Sequence, residues 1–127
     1  MFELTIENEV YQFNAGMGFV KEINKTVQIP VDGAPSVKQN AGVRYKIGQL
    51  LDGDVEALVD VLDVANKGQS LRATRTLLEK YIEDESTDID KLFEDVLDFL
   101  SNANCTKKAV RELRKVAEKR MEQMQRS

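Results

Sequence analysis

The carboxylates of LLDGDVEALVDVLDVANKG, residues 50–68, come closest to the type and spacing of a metal site. Asp52 and Asp54 would take the first and third positions of a calcium-binding EF-hand loop. The sixth position of that loop needs glycine but here is Ala57, and the twelfth is Asp63 where glutamate is expected. The apolar pattern also continues through the segment, which predicts a helix that would hold these oxygens apart. We therefore predict no metal site here.

These acidic side chains are better explained as parts of a helix. Asp54 precedes the first apolar residue of the periodic pattern, so we expect it to cap the helix. Glu56 would favour the positive helix start, and Asp60 and Asp63 are expected on the solvent-facing side.

The second acidic stretch, EDESTDIDKLFEDVLDF, fails the same test because Phe93 stands at the glycine position. We expect Asp88 to favour the start of a helix. Glu94, Asp95 and Asp98 fall opposite the apolar stripe, which predicts a solvated surface. The alternative is that their density serves a basic partner.

Other chemistry-bearing residues are scarce. The chain has no histidine, so it lacks the usual general base and the commonest metal ligand. Cys105 stands alone, and without a histidine base we expect a buried or idle thiol. Gly16-Met17-Gly18 lacks the third glycine of a dinucleotide-binding loop. We predict a protein that is not an enzyme, with no catalytic, cofactor-binding or metal-binding residues.

Length and composition are typical of one soluble domain. The chain has 127 residues, of which 42% are hydrophobic and 31% are charged. It contains no apolar run of about 18 residues, which a membrane span would need, and its start does not match a secretion signal. We expect a single domain over residues 1–127, in the cytoplasm and not in a membrane.

The first residues predict a β-hairpin over 1–13. Phe2, Leu4 and Ile6 alternate with polar residues, and the return strand follows a turn placed at Asn8-Glu9. Asn14 would then cap a short helix. Residues 27–31 could form an edge strand, since Pro30 cannot donate to a ladder, with a turn at Asp32-Gly33.

A helical core is predicted over residues 38–104. Its apolar stripes recur at helical spacing, and its predicted caps are Asp54, Thr74, and Thr87 or Asp88. With the hairpin, this gives a mainly α fold of class α+β with about five to six helices.

A basic amphipathic helix is predicted over residues 106–125, capped by Thr106. Residues 107–126 carry eight basic and three acidic residues, whereas the preceding part has a net charge of about −9. The predicted partner-binding residues are those of its apolar stripe: Val110, Leu113, Ala117, Met121 and Met124. The helix could dock on its own acidic domain, on a neighbouring copy, or on phosphates as part of a small nucleic-acid-binding regulator. The acidic body and the lack of aromatic residues here favour protein over nucleic acid.

Three segments in order carry a family resemblance, and together they cover most of residues 3–108. They are ELTIENEVYQFNAGMGFVKEIN, GVRYKIGQLLDGDVEALVDVLDVAN and YIEDESTDIDKLFEDVLDFLSNANCTKK. With them the chain resembles the tail assembly chaperones of long-tailed phages and related prophages of Gram-positive bacteria. None of the segments is a catalytic signature; their specificity lies in order and spacing.

The resemblance implies a binding role. Such proteins coat the tape measure protein, keep it soluble while tail tube protein polymerises around it, and are absent from the mature virion. A longer frameshifted form would recruit tail tube protein, and the chaperone would self-associate in the cytoplasm of the bacterial host. The resemblance implies no cofactor, nucleic-acid or membrane partner.

Overall fold

The computed structural model describes residues 2–126 and has class α+β, as predicted. In chain order the elements are β1 (Phe2–Ile6), β2 (Glu9–Phe13), α1 (Met17–Asn24), β3 (Gln28–Val31), β4 (Ala34–Asn40), α2 (Gly42–Leu51), α3 (Val55–Asn66), α4 (Arg75–Glu83), α5 (Ile89–Asn102) and α6 (Lys107–Arg126). The strands form two separate antiparallel hairpins. Within the described part, no helix is both long enough and apolar enough to cross a membrane.

The first hairpin, β1–β2, is present where it was predicted, and its inward side chains reach the core. Ile6, Tyr11 and Phe13 are buried. The turn lies at Glu7 and Asn8, one residue before the predicted position. Ile6 pairs with Glu9, so Glu7 and Asn8 are the two central residues of the turn. Their φ values are 52° and 67°. Positive φ at both central positions matches the twist of the strands better than an ordinary turn would.

The second hairpin, β3–β4, corrects the predicted start of the helical core. Lys38 pairs with Pro30 in a ladder, and the helix α2 begins only at Gly42. The predicted turn at Asp32-Gly33 closes the hairpin, with Gly33 at a φ of 80°. Residues 35–40 are all exposed, so this hairpin projects from the helical body as an arm.

The helical body packs around one core that the first hairpin also covers. The largest fully buried side chains come from both hairpin and helices and include Phe13, Ile23, Ile47, Leu50, Leu58, Leu62, Leu78 and Leu100. Side chains of this size, removed from water together, supply the main favourable free energy of folding.

Three predicted helix caps are confirmed. Asp54, Thr74 and Asp88 each accept a hydrogen bond from the backbone N–H three residues later, at 3.0, 3.2 and 3.1 Å. Asn14 does not cap α1, since Gly16 holds the cap position and the backbone N–H of Asn14 donates to the Ala65 carbonyl. The Asn14 bond joins the end of β2 to α3.

The helices α1 and α2 meet at a glycine. A Cβ built on Gly42 would stand 1.6 Å from the carbonyl oxygen of Ile23, so no larger residue fits. Beside it, the side-chain oxygen of Asn24 accepts a 3.0 Å hydrogen bond from the N–H of Val43. The side chain of one helix thereby satisfies a free N–H at the start of the next.

Candidate partner-binding surface

The carboxylates of α3 bind basic side chains of neighbouring segments. Asp60 accepts hydrogen bonds from Lys46 at 2.9 Å and from Arg75 at 2.5 Å. Asp63 accepts one from Arg72 at 2.7 Å. Both carboxylates are half-buried, so the expectation of a purely solvent-facing side was wrong for them. Partial burial raises the pKa of Asp60, but the hydrogen bonds from Lys46 and Arg75 outweigh it and hold the pKa below its ordinary value.

The acidic stretches stay dispersed along their helices. Over residues 2–126, no three cysteine, aspartate or glutamate side chains gather in the arrangement of a metal site. Cys105 is exposed, in the loop between α5 and α6.

The first half of α6 is anchored on the body of the protein. Val110 is fully buried in the core, and the partly buried Leu113 packs against it. Arg44 of α2 donates a 2.7 Å hydrogen bond to Glu112. The hydroxyl of Thr106, just before the helix, donates to the Leu100 carbonyl of α5. Thr106, the predicted cap of α6, thus links this helix to α5 through a hydrogen bond.

The second half of α6 continues the same stripe into solvent. Ala117 is half-buried, Met121 is 62% exposed and Met124 is 77% exposed. We call these three side chains the distal stripe. Of the five predicted partner-binding residues, the structure therefore places Val110 and Leu113 against the core, and the distal stripe at the surface.

Basic side chains border the distal stripe. At 3.6 residues per turn, Arg114 and Arg120 lie at its two opposite edges, and both are exposed. Val116, which lies beyond Arg120 around the helix, is 46% exposed. The residues of this half thus form an apolar strip between cations, an arrangement suited to a partner with apolar and acidic groups.

A groove lies between the first hairpin and the C-terminal part of α5. Phe2 stacks on Phe99 with ring centroids 5.4 Å apart, and these rings form part of its lining. Asp95 and Asp98 line the same groove, which has a volume of about 560 Å³. The predicted solvated surface of Asp95 and Asp98 therefore adjoins aromatic rings.

This groove was not predicted from the sequence. Phe99 lies outside the main apolar stripe of α5, and the contact that gives it a role comes from Phe2, at the other end of the chain. The alternation of apolar and polar residues in β1 indicated that Phe2 packs against another apolar side chain. It did not indicate which helix supplies that side chain.

Comparison with known proteins gives one family. The family model described as phage tail assembly chaperone protein, TAC, matches residues 3–115. A search of curated proteins and a search of solved structures each found no significant match. The family match covers both hairpins, the first five helices and the anchored half of α6. The chain therefore belongs to the phage tail assembly chaperone family.

Proposed function

We propose that this chaperone binds the tape measure protein of the phage tail and keeps it soluble until tail tube protein polymerises around it. As a tail assembly chaperone, the protein acts with tail proteins in the host during assembly, and its family is generally non-catalytic. The exposed apolar strip on α6 is the observation that supports the finer role. Such a strip is suited to cover apolar surface on another protein.

The proposed contact is between two helices. A tape measure protein is a long helical chain whose apolar stripe would otherwise aggregate, and a second amphipathic helix can cover that stripe. On this chaperone, Met121 and Ala117 supply the contact, with Met124 as an adaptable neighbour. Val110 and Leu113 hold the first half of α6 on the core and so fix the position of the contact surface.

Binding by many copies fits the small size of this surface. Each contact would be weak, and repetition along one tape measure chain would make the sum strong through avidity. Tail tube subunits could then remove the copies one at a time as the tube grows. In this proposal a longer frameshifted form recruits the tube protein, and the chaperone works in the host cytoplasm and leaves before the virion is complete.

Co-expression with the tape measure protein of the same phage tests the proposal. We expect the tape measure protein to stay in the soluble fraction with the wild-type chaperone. With the double variant Ala117→Asp, Met121→Asp, the amount of soluble tape measure protein should fall at least about tenfold, because charges on an apolar contact surface oppose burial.

Val55→Asp is the matched control, since Val55 is an exposed apolar residue in the first turn of α3, where an acidic side chain is tolerated. It should behave as the wild type does. A tape measure protein that is equally soluble with and without the chaperone would contradict the proposed function.

A further inference from the structure

We propose that, in the free protein, the distal stripe of one molecule is held in the groove between the first hairpin and α5 of a second molecule. The inference rests on the proposed function for its biological purpose, since it adds a regulation of the stripe that binds tape measure protein. The structural features that support it, the stripe and the groove, both belong to this chain.

The two surfaces are complementary in chemistry. The groove offers the stacked rings of Phe2 and Phe99 as an apolar wall, with Asp95 and Asp98 beside it. An amphipathic helix can lay its apolar side chains in such a groove. The small Ala117 allows close approach, and the flexible Met121 can fill an irregular space next to aromatic rings.

The charges on the two surfaces have opposite signs. Arg114 and Arg120 border the distal stripe, whereas the residues described around the groove include two carboxylates and no basic side chain. Asp95 lies 4.0 Å from Lys91 of its own helix, a weak ion pair. Opposite charges at the rim would orient the helix and speed encounter, while the apolar contact supplies the burial.

The occupant of the groove must come from another molecule. The groove extends to Cys105, two residues before α6 begins, and α6 then runs as one helix to Arg126. At a rise of 1.5 Å per residue, the side chain of Met121 stands about 20 Å along the helix from its start. A straight helix cannot return its far end to a site beside its own first turn.

This arrangement leads to open chains of molecules. The stripe and the groove are different surfaces, so after every contact the growing chain still carries one unoccupied groove at one end and one unoccupied stripe at the other. A head-to-tail contact of this kind gives filaments or rings, and the average size rises with concentration. Tape measure protein would compete with the groove for the stripe and so break up these chains.

Two charge-reversal variants of the full chain test the inference. The groove variant is Asp95→Lys with Asp98→Lys, and the stripe variant is Arg114→Glu with Arg120→Glu. Sedimentation velocity from low to high micromolar concentration measures association, and circular dichroism checks the helical content. We expect wild-type chains to grow with concentration, and each variant to associate at least about tenfold more weakly.

Mixtures give the sharper result. In an equimolar mixture of the two variants, two contacts have opposite charges. One joins the basic groove of the groove variant to the acidic stripe of the stripe variant, and the other joins the two unaltered surfaces. The unaltered stripe of the groove variant should bind the unaltered groove of the stripe variant. A quadruple variant that carries all four substitutions should form chains again. Wild-type protein that stays monomeric, or variants that associate like the wild type, would overturn the inference.

The same variants separate this inference from the proposed function. The groove variant keeps its distal stripe intact, so it should still hold tape measure protein in solution. If it is monomeric but leaves the tape measure insoluble, the proposed function fails and the inference stands. If it keeps the tape measure soluble but self-associates unchanged, the inference fails and the proposed function stands.

Discussion

The side-chain oxygen of Asn66 accepts a 2.6 Å hydrogen bond from the backbone N–H of Ala73, and both residues are fully buried. The amide nitrogen of Asn66 donates to the carbonyls of Gln12 at 2.9 Å and Leu71 at 3.1 Å. One buried side chain thus joins the first hairpin, the end of α3 and the loop that leads to α4. The buried N–H of Ala73 needs such a partner, because it cannot reach water.

We predict that Asn66→Ala lowers the free energy of unfolding by about 2–4 kcal/mol, since it leaves backbone groups buried without their partner. Urea denaturation followed by circular dichroism measures this loss. The control is Asn104→Ala at an exposed loop position, which should change stability by less than about 0.5 kcal/mol. Equal effects of the two substitutions would show that the buried bonds contribute little.

Gly42→Ala should destabilise the protein by at least about 3 kcal/mol, because the added methyl group would overlap the Ile23 carbonyl and force α1 and α2 apart. Gly48→Ala, in the same helix, meets no atom within 4 Å and should instead stabilise by about 0.5–1 kcal/mol. Thermal unfolding of the two variants compares them directly. A stable Gly42→Ala protein would contradict the close approach of these helices.

Asp60 should make stability depend on pH. Its pKa in the folded state lies below the ordinary value of 3.8, so its contribution is present above that value and is lost as pH falls through the folded pKa. At pH 7, Asp60→Asn should be less stable than the wild type by about 1 kcal/mol, a small effect because water screens these pairs. Urea unfolding at pH 7 and pH 3 should show the difference shrinking at the lower pH. A difference that stays constant would rule out the charge as its cause.

The turn of the first hairpin can be improved. Glu7 adopts a φ of 52°, which non-glycine residues other than asparagine and aspartate rarely take. Changing Glu7-Asn8 to Asn-Gly should raise the free energy of unfolding by about 0.5–1 kcal/mol. Glu9→Asn, at a strand position of ordinary φ, is the control and should give no gain. A gain from the control as large as that from the turn would point to charge removal as the cause.

Much of the fold followed from local patterns. The caps at Asp54, Thr74 and Asp88 and the alternation of the first strand depend on neighbours within a few residues, so they could be predicted. The placement of β4 could not. Lys38 to Asn40 carry no strong local preference, and their strand exists because Asp32-Gly33 folds the chain back onto β3.

The surface of α6 was predictable only in part. Its apolar stripe has one period along the whole helix, and nothing in that pattern tells Val110, which lies in the core, from Met121, which lies in solvent. The boundary depends on where the rest of the body ends. The groove beside Phe99 depends on the distant Phe2, a contact between residues far apart in the sequence.

In the proposed function, the second half of α6 serves recognition and its first half serves folding. The family match ends at Lys115, close to the point where the helix leaves the core. Most side chains beyond this point are exposed, so substitutions there should cost little stability. Different phages could therefore diversify their specificity at this end while the same scaffold persists.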